Sequence, residues 1–263
     1  MQQRGTDITV NLKKINKMNI ANKTVLITGG GSGIGYEIAK LLNANGNRVI
    51  ILGRTESKLK AATETLPGTI AIRCDINNEA DVQNLIQEVT VKHPDLSILI
   101  NNAGRAFAYT HNENATAFER ATEEFATNYF SVIRLTEKFL PLLKKQQEAA
   151  IVNVSSIVAY SPQSLLPTYS DSKAALHSYT LSLRHSLAKD KVIKVFELLP
   201  PMVNTEFSKD VGGEHGMSAG EVAIALINAI ENDVYEIQVG QTAEFRKFYL
   251  ASPSEAFAMM NRS

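Results

Sequence analysis

The 263-residue chain reads as a single-domain α/β protein with a Rossmann-type, doubly wound parallel sheet of seven strands and helices on both faces. Three observations predict this. Short apolar runs alternate with helical stretches, as parallel strands joined by right-handed crossovers require. Most runs are apolar on both faces, the pattern of strands covered by helices above and below. A glycine-rich turn joins the first run to the first helix, where such folds hold a phosphate.

The elements follow in order. "TVLITG" (24–29) passes through "TGGGSGIG" into a helix at 33–45, "RVIILG" (48–53) precedes a helix at 56–65, and "TIAIRC" (69–74) precedes one at 79–92. "LSILIN" (96–101) leads to a long helix at 117–145, "AAIVNVS" (149–155) to one at 167–188, and "KVIKVFELL" (191–199) to one at 218–231, before a last strand, "YEIQVG" (235–240). No repeat or Pro/Gly/Ser-rich linker interrupts them, so residues 18–263 read as one domain. Residues 1–17 are polar and weakly patterned and read as a flexible extension. The segments 103–116 and 200–217 follow strands at their carboxyl ends, where ligands bind in such sheets.

Composition narrows the function classes. Hydrophobic residues make up 44% of the chain, ample for a large core, and 27 Lys plus Arg balance 27 Asp plus Glu. There is no excess positive charge for nucleic acid or a membrane surface. No run approaches the ~20 apolar residues of a membrane span, and no signal-peptide core stands at the N-terminus. A cytoplasmic location follows as the expectation, consistent with a lone cysteine, Cys74. The five histidines show no ligand spacing beside an acid, so no metal is expected.

The turn fits T-G-x-x-x-G-x-G at Thr28, Gly29, Gly33 and Gly35, with Ile34 inside it. It does not fit G-x-G-x-x-G, because the register from Gly31 puts Tyr36 at the third glycine. Glycines there let backbone N–H groups approach a pyrophosphate. At the end of the second strand an acid would bind a ribose 2′-hydroxyl, but this chain has Gly53 and then Arg54. A guanidinium offers paired donors to a 2′-phosphate, which favours NADP(H) over NAD(H). A solvated surface arginine is the alternative.

Tyr169 and Lys173 stand four apart on one helix face, with Leu176, Thr180 and Leu183 continuing the stripe inward. An inward ammonium needs a partner or a task. Asn128 shares a face with Phe125 and Val132, a poor place for an amide unless it is satisfied by backbone or put to use.

Further motifs stand in order with these residues: "TGGGSGIG", Asp75, "NNAG" at 101–104, Asn128, "IVNVSS" at 151–156, Tyr169-x-x-x-Lys173 and "PPMVNT" at 200–205. So ordered, they make the chain resemble the short-chain dehydrogenase/reductase family over about residues 20 to 240, and "PPMVNT" with the terminal "FRKFYLASPSEAFAMMN" resembles its bacterial DltE-like subgroup. The resemblance implies a carbonyl/alcohol oxidoreductase with Tyr169 as general acid/base and Lys173 binding the ribose and lowering the phenol's pKa. Ser156 would position the substrate oxygen, and Asn128 would help hold a proton-relaying water. It further implies adenine contacts from Asp75 and Ile76, a cofactor path along Asn102, Ala103 and Gly104, and nicotinamide contacts from Val203 and Thr205. One departure is Pro201, where the family has glycine; proline fixes φ and removes a donor.

The substrate side is expected from the turn after Ser156 and the loops at 105–116 and 202–217, with Tyr160, Leu165, Leu166, Met202 and Phe207 as apolar candidates. Relatives pair through the helices read at 117–145 and 167–188, which implies a homodimer, with a homotetramer as the alternative. The rival reading is a non-catalytic dinucleotide-binding redox sensor or scaffold; an epimerase or dehydratase is a second rival.

Overall fold

The computed structural model describes residues 17–190 and 192–262. The extension expected at 1–17 lies outside them except for Lys17, which donates to Asn232 Oδ1 (2.8 Å).

The strands are β1 (Thr24–Thr28), β2 (Arg48–Gly53), β3 (Ile70–Arg73), β4 (Leu96–Asn101), β5 (Ala149–Val154) and β6 (Ile193–Leu199), with two short ones, β7 (Val203–Asn204) and β8 (Met217–Ser218), and a last one, β9 (Glu236–Gln238). Seven form one parallel sheet in the order β3-β2-β1-β4-β5-β6-β9. The helices are α1 (Gly33–Ala44), α2 (Glu56–Thr65), α3 (Glu79–Lys92), α4 (Ala117–Phe125), α5 (Ser131–Leu143), α6 (Pro167–Leu187), α7 (Ala219–Glu231), α8 (Thr242–Ala251) and α9 (Pro253–Met260).

Alternation along each strand builds two core layers. Val25, Ile27, Ile98 and Ile100 pack with Ile38 and Leu42 of α1 and Leu226 of α7. Leu26, Leu96 and Leu99 pack on the other face with Leu85 of α3 and Phe139 of α5. The central strands are therefore buried throughout.

The order reverses between β1 and β4, since β2 and β3 lie on one side of β1 and the later strands lie on the other. Divergent connections there open a crevice at the carboxyl ends, the usual ligand position.

Three features depart from the expected elements. The helix read at 117–145 breaks into α4 and α5 at a π-helical turn, Ala126–Phe130, where Ser131 N–H reaches Ala126 O. β7 and β8 pair to hold the long loop after β6, and α8 and α9 complete the chain beyond the last strand.

Candidate active site

A cavity of about 1000 Å³ follows the carboxyl edge of the sheet from Arg54, after β2, to Ser156, after β5. The order β2-β1-β4-β5 makes that three strand spacings, roughly 14 Å. An extended dinucleotide suits such a path.

The glycine turn is held from behind. Thr28 Oγ1 accepts the N–H groups of Asn102 and Ala103, both at 2.9 Å, and Asn102 Nδ2 donates to Thr28 O (2.9 Å) and Gly29 O (3.3 Å). Gly29 and Gly33 take φ of +67° and +56°, left-handed values that favour glycine. A Cβ on Gly35 would lie 2.4 Å from Gly29 O. Thr28 and Gly35 thus form the floor, whereas Gly29, Gly33 and Ile34 line the cavity. Ser32 caps α1 with no side-chain bond and no acid follows in the first turn, so the helix N-terminus keeps its attraction for an anion.

Arg54 is exposed at the cavity's edge. Lys58, which the sequence reading missed, lines the same end and pairs with Glu206 across the mouth (2.6 Å). Asp75 and Ile76 line the wall beyond β3, and Asp75 Oδ1 accepts the Asn77 N–H (3.0 Å). Asn102, Ala103, Gly104, Val203 and Thr205 all line the cavity. A Cβ on Gly33 would lie 3.3 Å from Thr205 Cγ2, so the loop carrying Pro201 brings Thr205 against the glycine turn.

Ser156, Tyr169 and Lys173 meet mid-cavity. Lys173, 3% exposed, donates to Val154 O (2.7 Å), and its Nζ lies 5.6 Å from the Tyr169 ring centroid. Burial pushes its pKa down to about 8, opposed by the buried Glu197 carboxylate. The phenol of Tyr169 is pushed above its ordinary value by burial, while its hydrogen bond to Ser156 pulls it down and Glu124 adds to the rise. This corrects the expectation of a lowered phenol: desolvation of the ring outweighs the hydrogen bond.

Asn128 is buried and does not line the cavity. Its Oδ1 accepts Arg105 N–H (2.8 Å), and its Nδ2 donates to Arg105 O (2.8 Å) and Ser172 Oγ (2.8 Å). The π-helical turn seats this amide between the substrate-side loop and α6. Leu166, Met202 and Phe207 reach the cavity; Tyr160 and Leu165 do not. Tyr160 OH instead accepts from Gln238 (3.2 Å), and its ring packs on His177.

Two buried carboxylates escaped the sequence reading. Glu124, 0% exposed, accepts Phe107 N–H (2.7 Å) and the Thr168 hydroxyl (2.5 Å), which meets Tyr109 OH (2.9 Å). Glu197 accepts from Ser155 (2.6 Å) and pairs with His177 Nδ1 (2.8 Å). Glu124 lies one helical turn before Asn128 on the same stripe, so the test that singled out Asn128 also points to it.

The model of the short chain dehydrogenase family matches residues 23–215. The chain belongs to the short-chain dehydrogenase family. Among its relatives is an uncharacterized oxidoreductase of Bacillus subtilis, DltE, 36% identical over 249 residues and spanning 93% of this chain and 98% of that protein. A short-chain dehydrogenase from Burkholderia cenocepacia, solved with NADP, superposes with a TM-score of 0.82 at 27% identity, covering 94% of this chain and 100% of its own. A 3-ketoacyl-(acyl-carrier-protein) reductase from Brucella melitensis, solved with NADH, has a TM-score of 0.73 at 28% identity, covering 82% of this chain and 94% of its own. This short-chain dehydrogenase is accordingly an oxidoreductase with a nicotinamide dinucleotide site; among the described residues no helix is long and apolar enough to cross a membrane.

Proposed function

We propose that the protein is an NADP(H)-dependent carbonyl reductase or alcohol dehydrogenase in which Tyr169 moves the proton. The observation that carries this reading is the convergence of Ser156, Tyr169 and Lys173 on the cavity that begins at the glycine turn. The open cradle at Gly29 and Gly33 and the uncapped start of α1 fit the pyrophosphate of a dinucleotide.

When bound, a nicotinamide would supply the hydride for the carbonyl carbon, or accept it from the alcohol. Ser156 holds the substrate oxygen, and Tyr169 Oη delivers a proton to it in reduction and removes one in oxidation. Burial keeps that phenol protonated through neutral pH, the form a general acid needs. Lys173 reaches the ribose hydroxyls and supplies positive charge beside the ring. Asn128 acts as a positioning residue that fixes the Arg105 backbone against α6, with the proton-relaying water next to it. Asp75 and Ile76 hold the adenine, Asn102, Ala103 and Gly104 the cofactor path, and Val203 and Thr205 the carboxamide.

Arg54 supports a preference for NADP(H): it is an exposed cation at the end of β2, where an acid would repel a 2′-phosphate. Residues 18–263 act as one cytoplasmic unit. Exposed Phe118, Phe130 and Leu181 on α4, the π-helical turn and α6 support a homodimer through these helices, and sedimentation at micromolar concentration tests it. An NADPH-oxidation screen over ketones, aldehydes and quinones tests the activity. Turnover lost in Tyr169→Phe supports the proposal; silence throughout favours the binding-protein alternative.

A further inference from the structure

Beyond Tyr169 the cavity continues into a substrate-side compartment with one wall that the sequence reading did not foresee. Its far wall is made by the C-terminal helices, with Phe245 and Phe248 from α8 and Met259 and Met260 from the end of α9. Leu166 and Phe245 share one apolar cluster with Tyr169 itself. Phe207, 52% exposed, sets its ring 6.0 Å from the Tyr169 ring. The wall is pinned in place: Asn261 Oδ1 accepts Ser164 N–H (2.6 Å), and its Nδ2 donates to Pro162 O (3.0 Å). The helices are thereby tied to the turn that follows Ser156.

The charges around this compartment are one-sided. The cations lining the whole cavity are Arg54, Lys58 and Lys173. Arg54 and Lys58 follow β2, at the opposite end of the sheet's edge, and Lys173 is 3% exposed, with one N–H on Val154 O and the others assigned above to the ribose. On the compartment's own lining the ionisable groups are carboxylates, the exposed Asp210 and Glu244, the latter paired with Lys247 (2.8 Å). Gln163 and Gln241 are among its neutral polar groups. A carboxylate entering here would lose water without meeting a cation, a costly exchange. An apolar skeleton gains by burial against the two phenylalanines and by the adaptable methionines.

We propose that the compartment selects an uncharged carbonyl compound on an apolar skeleton and excludes carbonyls that carry an anion on the same skeleton. The proposal rests on the carbonyl-reductase reading of the site, and its test separates the two. Two matched pairs serve as probes: acetophenone with 4-acetylbenzoate, and 2-octanone with 7-oxooctanoate. Binding is measured by calorimetry on the Tyr169→Phe variant saturated with NADPH, so that no turnover occurs, and turnover of the same compounds is measured on the wild type.

The neutral member of each pair should bind at least about tenfold more tightly at low ionic strength. Gln163→Lys, which adds a cation to the lining, should narrow the gap to about threefold or less. Anions that bind as well as their neutral partners, a Gln163→Lys gap that does not change, or no binding by any of the four compounds overturns the proposal. Neutral compounds that bind as expected yet are never reduced by the wild type leave the selectivity standing and count against the reductase reading.

Discussion

Truncating Glu124 tests whether the substrate-side loop is held by one buried carboxylate. Its two oxygens take the Phe107 N–H and the Thr168 hydroxyl, so Glu124→Ala removes both bonds, strands the Phe107 N–H and leaves the Thr168 hydroxyl only Tyr109 as a partner. A hydrogen bond to a charged group contributes about 1.5–3 kcal/mol, and a donor left unsatisfied adds to the loss. The pair therefore implies a destabilisation of roughly 3–5 kcal/mol, which for a chain of this size lowers Tm by roughly 10 °C. Glu124→Gln should behave differently. Burial raises the Glu124 pKa, so the ionised form is penalised in the fold, and that penalty grows as pH rises through the folded value. Glutamine sheds the charge and keeps an acceptor for Phe107, while Thr168 turns its hydroxyl to Tyr109. It should stay within about 1 kcal/mol of wild type. Urea unfolding at pH 7 reads both variants. Alanine costing under ~1 kcal/mol, or glutamine costing as much as alanine, would refute the reasoning.

Arg54→Ala should weaken NADPH about tenfold or more while changing NADH by less than about threefold, read as Kd by quenching or calorimetry; equal losses would remove the 2′-phosphate contact. Gly35→Ala drives a Cβ to 2.4 Å from Gly29 O, and the turn must shift: stability should fall by about 2 kcal/mol or more with NADPH affinity falling alongside, and an unchanged Kd would show that the turn is not the phosphate cradle. His177 titrates above its ordinary value because Glu197 hydrogen-bonds it. Its protonated form therefore stabilises the fold fully below about pH 6.5, and this contribution is lost as pH rises through the folded value. Unfolding free energies across pH 6 to 9 should fall in the wild type and flatten in His177→Gln; parallel curves would sink the assignment.

The architecture was legible because the strands repeat one local rule, apolar on both faces between turn signals, and such signals survive without tertiary context. Tyr169 and Lys173 were legible for a related reason: a helix period of four made a buried ammonium conspicuous. The break at Ala126–Phe130 was not, because a π-helical turn leaves hydrophobic periodicity nearly intact. Glu124 stood on the same inward stripe as Asn128 and was open to the same test, whereas Glu197 escaped because a buried acid reads as a surface acid until partners distant in sequence, Ser155 and His177, are brought to it. The C-terminal helices lay beyond the last element read from the sequence, and their apolar faces serve a cavity wall, which only the docking of Asn261 onto Pro162 and Ser164 makes visible. The rise in the Tyr169 pKa depends on how deeply the ring is buried, and spacing along a helix carries no such information.

The most direct test is single-turnover reduction by Tyr169→Phe measured beside its NADPH Kd. The phenylalanine keeps the ring and its packing on Phe207 and removes the hydroxyl, with its proton and its hydrogen bond to Ser156. The reduction rate should fall by about 10²–10⁴ with the Kd within about threefold of wild type. A variant that reduces substrate at the wild-type rate would contradict the central claim that Tyr169 moves the proton.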